Sequence, residues 1–192
     1  MGSNCFLVTG AQGCIGSWVI KNLLDMVHEV IALDVHTRPV RLSLLLHPEK
    51  LRCVVYGVGR DRGLTAGTTL AIKAAMLGQT YEIGFAGVAN VEYADDVARS
   101  FIACALKAPE GAPVYNMRGE VLEVDDMISV IEGIFPSAKG KITCAVQRNI
   151  MANDVSDAGL QELIGPFQPL SCEEGARRTA DLFRTLLEEG RL

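Results

Sequence analysis

An α/β fold organised on a parallel sheet follows from three features of the sequence. Cys5 to Thr9 is an apolar, β-rich run that feeds glycines at positions 10, 13 and 16. Ser17 opens a segment in which Val19, Ile20, Leu23, Leu24 and Val27 recur at helical spacing. A second apolar run, Val30 to Leu33, then ends on the acid Asp34. Strand, glycine turn, helix and strand in that order make a βαβ unit, and further strand and helix patterns alternate to the C-terminus. The expectation is a Rossmann-like three-layer parallel sheet.

The glycines have separate physical tasks in such a unit. One makes the tight turn, one leaves room for a pyrophosphate beside the backbone, and one lets helix and strand pack closely. Phosphates would sit on the helix N-terminus, where unpaired N–H groups and the helix dipole favour negative charge. The candidate cofactor residues are Gly10, Gln12, Gly13, Cys14, Ile15 and Gly16, together with Asp34. An acid at the end of the second strand accepts hydrogen bonds from the adenosine ribose and repels a 2′-phosphate, which favours NAD over NADP. Arg38, four residues on, is the kind of residue that accommodates the extra phosphate. The bland alternative is a βαβ unit whose glycines serve packing alone.

With 192 residues and 49% apolar content, the chain can bury a sizeable core. The net charge of −5, with no basic run, argues against a nucleic-acid partner. The six cysteines, Cys5, Cys14, Cys53, Cys104, Cys144 and Cys172, are far apart and form no metal-clip spacing, so no metal is expected. They read as small core residues of a reduced, cytoplasmic protein. The N-terminal apolar run lacks a basic lead and is broken by glycines, unlike a signal peptide, and no apolar stretch reaches membrane-spanning length.

After Asp34, Val40, Leu44 and Leu45 fit a short helix ended near Pro48, and Cys53 to Tyr56 a short buried strand before a glycine loop. Thr68 to Gly78 reads as a small-residue helix. Val88 to Tyr93 reads as a strand, and Asp95 as the cap of a helix carrying Val97, Phe101 and Ala105. Pro113 to Met117 and Val121 to Val124 read as strands, with Asp125 capping a helix that carries Met127, Ile128, Ile131 and Ile134. Lys141 to Val146 reads as a strand, and Ala158 to Ile164 as a short helical turn in an irregular stretch. Ser171 and Glu174 make a capping box for the last helix, whose stripe is Ala176, Ala180, Phe183 and Leu187 and whose stop is Gly190.

The segment VTGAQGCIGSWVIKNLL with VIALD resembles the extended short-chain dehydrogenase/reductases, the NAD-dependent epimerase/dehydratase group. VVYGVGRD is similar to the family's V-Y-G-P-G loop, with Val58 for proline. VEYADDVARSFIACAL, PVYNMRGE and EEGARRTADLFRTLLEEGRL match its Y-V-D-D-V-A helix start, its V-Y-N strand and its terminal helix. The resemblance implies a dinucleotide half at residues 1–60 and, at 61–192, the rest of the fold with a small C-terminal α/β substrate-capping region, the whole in one compact domain. It places Cys53 and Val54 at the nicotinamide end and implies a nucleotide sugar or a small hydroxy or carbonyl compound as substrate.

Relative to that family the centre of the sheet is abbreviated. Members carry several βα units with a Ser or Thr and a Tyr-x-x-x-Lys pair between the second strand and the V-Y-G strand, whereas here Pro48 and Tyr56 nearly adjoin. At about 30 residues per βαβ unit, on the order of 60 to 100 residues are missing. The phenol of a tyrosine has a pKa of about 10, too high for proton transfer at neutral pH unless a cation favours the phenolate. Tyr56, Tyr81, Tyr93 and Tyr115 are followed four residues later by Arg60, Phe85, Val97 and Gly119, and the one cation among these lies beyond Gly57 and Gly59, in a loop. Three expectations result. The first is an NAD(P)-binding family member impaired in catalysis. The second is an active NAD-dependent oxidoreductase or epimerase whose proton comes from Tyr56 or a partner subunit. The third is a non-enzymatic interaction protein that self-associates through a sheet lacking its middle.

Overall fold

The computed structural model describes residues 5–34, 57–61, 66–110, 113–147 and 155–192. Strand β1 (Cys5–Thr9) runs parallel to β2 (Glu29–Leu33), in register from Cys5 opposite Glu29 to Thr9 opposite Leu33, and helix α1 (Cys14–Asp25) connects them. The helix begins ahead of Ser17 because extended Gly13 is its N-cap, which puts Gly16 inside the first turn. Ile20 and Leu23 of α1 pack on Val8 with Phe6, Val30 and Ala32 around them. Val27 falls off that stripe, since it adopts a left-handed φ of 61° beyond the helix end and is exposed. The opposite face of the strand pair carries Leu7, Ile31 and Leu33, which are 63%, 58% and 56% exposed.

Helix α2 (Gly67–Met76) ends ahead of Gly78, whose φ of +70° suits glycine. Strand β3 (Tyr81–Ile83) leads to β4 (Val88–Val91), and helix α3 is Ala94–Lys107. Strand β5 (Glu120–Glu123) returns antiparallel to β4 and enters α4 (Val124–Ile134). After the short 3₁₀ turn Pro136–Ala138, β6 (Ile142–Cys144) pairs parallel with β3. Helices α5 (Ala158–Ile164) and α6 (Cys172–Glu188) complete the described chain. Among the described residues the strands thus form three two-stranded sheets. The larger core gathers Ile72, Ile83, Met127, Ile131, Phe183 and Leu186 from α2, β3, α4 and α6.

Three expectations from the sequence need correction. Residues 113–117 do not form a strand: a strand exists through its neighbour's ladder, and none lies beside this segment among the described residues. The segment is held at its end instead, where the Gly119 N–H donates to Asn90 Oδ1 at 2.8 Å. Asp95 and Asp125 are not caps, because Tyr93 and Glu123 occupy the N-cap positions and the acids lie within the first turns, where they favour the helix dipole. On α6 the stripe continues through buried Leu186 rather than half-exposed Leu187. Its start is as the sequence indicates, with Ser171 Oγ accepting from the Glu174 N–H at 3.2 Å.

Two buried groups fix how these helices meet. Asp96 has no exposed side-chain surface and accepts from the Leu170 N–H at 2.7 Å and from the Arg99 guanidinium, so it ties the start of α3 to the approach of α6. Next to it, Asp95 Oδ1 accepts from Asn22 Nδ2 of α1 at 2.9 Å. The single tryptophan, Trp18, is 4% exposed on α1 and stands edge-on to Tyr93, ring centroids 5.8 Å apart. Gly57, at φ +115°, runs against both rings: a Cβ there would sit 3.4 Å from Tyr93 and 3.5 Å from Trp18.

Asp96→Ala should lower the stability to urea by about 1–3 kcal/mol, because it leaves the Leu170 N–H without its acceptor, while half-exposed Arg99 keeps Asp95. The Cys172 thiol, pushed up to about 12 by burial and by Glu120, should resist a thiol reagent at pH 8 in the folded chain and react once urea exposes it.

Candidate functional site

The turn between β1 and α1 is built by close approach. Gly10 takes a left-handed φ of +61°, and its carbonyl accepts from the Gly13 N–H at 2.8 Å. That same carbonyl oxygen lies 2.5 Å from where a Cβ of Gly16 would be and 3.0 Å from that of Gly13. Any side chain at Gly16 would therefore push the helix off the turn. Glycines 10, 13 and 16 have in this way the conformational and packing tasks that their spacing suggests.

The end of β2 reaches back to the turn through two bonds. The Ala11 N–H donates to the Leu33 carbonyl at 3.1 Å, and the Gln12 N–H donates to Asp34 Oδ2 at 2.6 Å. The ribose-clamp candidate and the phosphate-turn candidate are thus in direct contact, although 22 residues separate them in sequence. A carboxylate has about four lone-pair sites, so an aspartate can accept from more than one donor at once.

Cys14 and Ile15 begin α1, whose N-cap Gly13 provides no side-chain acceptor and whose first turn holds no acid. By contrast, α3, α4 and α6 each carry two acids in the first turn. Among the described residues no side chain caps the α1 N-terminus and no first-turn acid offsets its dipole, which therefore favours an anion. On the outer side of the turn, a Cβ at Gly10 would meet no atom within 4 Å. Backbone donors, an open approach and a nearby carboxylate together fit a dinucleotide, with the pyrophosphate on the helix end and the ribose at Asp34.

The structure brings Gly10, Gln12, Gly13, Ile15, Gly16 and Asp34 together in one place, along with the Cys14 backbone. Cys53 and Val54 lie outside the described residues, as do Tyr56, Arg38, the helix expected before Pro48 and the strand 53–56. The loop expected beyond Tyr56 forms, with Gly57 and Gly59 at positive φ and the Arg60 N–H donating to the Gly57 carbonyl. Burial raises the phenols of Tyr81 and Tyr93 above their ordinary value, the latter also by the charge of Asp95. That shift is opposite to what a proton-accepting tyrosine needs.

Sequence reasoning passed over a second set of polar residues. Ile15 also lines a cavity of about 580 Å³ bounded by α3, residues 115–117 and the start of α5, into which Asn90 and Glu92 contribute. The signal was the two-residue period that puts 90 and 92 on one face of an extended chain.

Residues 6–57 match the model of the NAD dependent epimerase/dehydratase family. No curated protein matches the chain in sequence. Among solved structures, the chain is similar to a dTDP-glucose 4,6-dehydratase from Bacillus anthracis in complex with NAD. That likeness has a TM-score of 0.71, 11% identity and coverage of 100% of both chains. A UDP-glucose 4-epimerase from Bifidobacterium longum in complex with NAD+ and UDP gives a TM-score of 0.69 and 13% identity, covering 98% of this chain and 100% of that one. A UDP-glucose 4-epimerase from Thermotoga maritima, with UDP-glucose, gives 0.66 and 16%, covering 96% and 99%. These likenesses show a Rossmann-like α/β fold. The glycine turn and second strand lie inside the segment that matches the family model, and the rest of the chain shares the fold of these solved structures.

Proposed function

We propose that this chain binds NAD through the glycine turn and Asp34 and does not turn it over efficiently. The observation that carries the reading is the contact of Asp34 with the Gln12 N–H beside an uncapped α1 N-terminus. Similar structures that hold NAD add support. The α1 backbone donors would take the pyrophosphate, Asp34 the adenosine ribose, and Gly10 and Gly13 would let the ligand approach. Residues 1–60 then form the dinucleotide half and 61–192 the remainder with its capping region. Bound NAD supplies a hydride acceptor. The absence of Tyr-x-x-x-Lys from the sequence argues that the proton-transfer partner is missing. A nucleotide sugar is the substrate class that would adjoin it, by analogy with the UDP-bound epimerase. Cys5, Cys104, Cys144 and Cys172 are free thiols, which suits a reducing, cytoplasmic setting. Among the described residues no helix is long and apolar enough to cross a membrane.

A second reading, self-association, is favoured by the exposed Leu7, Ile31 and Leu33 on a parallel strand pair, since parallel sheets are ordinarily covered on both faces. Light scattering should show assemblies that Leu7→Lys disperses, and a monomer at every concentration would remove this reading.

Calorimetric titration of the purified chain should give a saturable heat with NAD, a smaller one with NADP, and a rise in thermal midpoint with NAD. Asp34→Ala should weaken NAD by about tenfold, or ~1.4 kcal/mol, and erase the preference over NADP. Gly16→Ala should abolish the heat and cost about 1–3 kcal/mol of stability by overpacking the turn. No saturable heat and no stabilisation at millimolar NAD would overturn the proposal.

A further inference from the structure

The cavity beneath α3 presents an electrostatic problem that the dinucleotide site leaves unsolved. Its volume of about 580 Å³ suits a small organic molecule, and most of its wall is apolar, with Phe101, Met117 and Leu160 among the contributors. Among the described residues, Glu92 is the one charged residue on that wall. Among the described residues its carboxylate has a single hydrogen-bond partner, the Asn90 side-chain amide (Nδ2 to Oε1, 3.0 Å), and no cationic one. Burial raises its pKa above the usual carboxylate range, and the Asn90 bond only partly opposes this. Half-buried carboxylates are ordinarily paired, because the cost of desolvating the charge is otherwise uncompensated.

Asn90 is itself fixed. Its Oδ1 accepts from the Gly119 N–H at 2.8 Å, and its amide also lies 3.5 Å from the Met117 carbonyl. Glu92 Oε1 is thus held in place and Oε2 is left for a ligand. Tyr115 and Asn116 line the same cavity, and neither side chain has a hydrogen-bond partner among the described residues. A tyrosine face beside a carboxylate is a recurrent surround for an ammonium group.

We infer that this cavity binds a small organic cation, an amine carried on an apolar or aromatic body. The ammonium would pair with Glu92 Oε2, and the body would occupy the space bounded by Phe101 and Leu160. The inference does not depend on NAD binding at the glycine turn, because none of the groups that would hold the amine belongs to that turn.

The test is calorimetric titration of the full chain with phenethylamine and, as the neutral match, 2-phenylethanol. Phenethylamine should bind saturably and about tenfold or more tightly than the alcohol, as expected of one charge-assisted hydrogen bond. Glu92→Gln should bring the two ligands to equal affinity, and Cys104→Phe, which fills the cavity from α3, should weaken both. Amine binding that survives Glu92→Gln unchanged, or the absence of saturable binding at millimolar amine, would overturn the inference. A cooperative urea transition that Glu92→Gln leaves intact would confirm that the variant is folded.

Discussion

The contact on which the rest depends is the approach of α1 to the Gly10 carbonyl at a distance only glycine 16 permits. Through it the helix end comes over the turn, and the same packing sets Ile20 and Leu23 on Val8. Through the Gln12 and Ala11 bonds the turn in turn positions the end of β2. One backbone oxygen thereby coordinates a turn, a helix start and a carboxylate. An anion site can then be assembled largely from main-chain groups, which suits a chain whose overall charge of −5 would not itself attract a dinucleotide.

That part of the molecule was legible in the sequence because it is local. Strand, turn and helix each follow from residues within a few positions, and Asp34 lies at the distance where β2 must return beside β1. The start of α6 was legible for the same reason, since Ser171 and Glu174 are three apart. Residues 113–117 misled because strand propensity is realised only against a partner strand, and Val114 there is 92% exposed. The caps misled by two positions: an acid near a helix start stabilises the dipole from within the first turn as well as from the cap. Glu92 and Tyr115 become neighbours only through the folding of β4, α3 and the following segment, which no short motif encodes.

The elements of the chain bury their apolar surfaces unequally. The C-terminal elements close a core around Met127, Ile131 and Phe183, which Trp18 of α1 joins. The N-terminal strand pair is covered by α1 on one face and leaves Leu7, Ile31 and Leu33 to solvent on the other. Asp96 and the Asn22–Asp95 bond are what anchor α3 between these regions, linking it to α6 on one side and α1 on the other.

Trp18 gives this arrangement an optical signature. It is the sole indole in the chain, buried one turn along α1 from the glycines and in edge contact with Tyr93. Lys21 Nζ stands 5.8 Å from its ring centroid. Indole emission from this protein therefore comes from a single buried position on α1. Occupancy at the helix end would be reported as a shift in colour or intensity without any label.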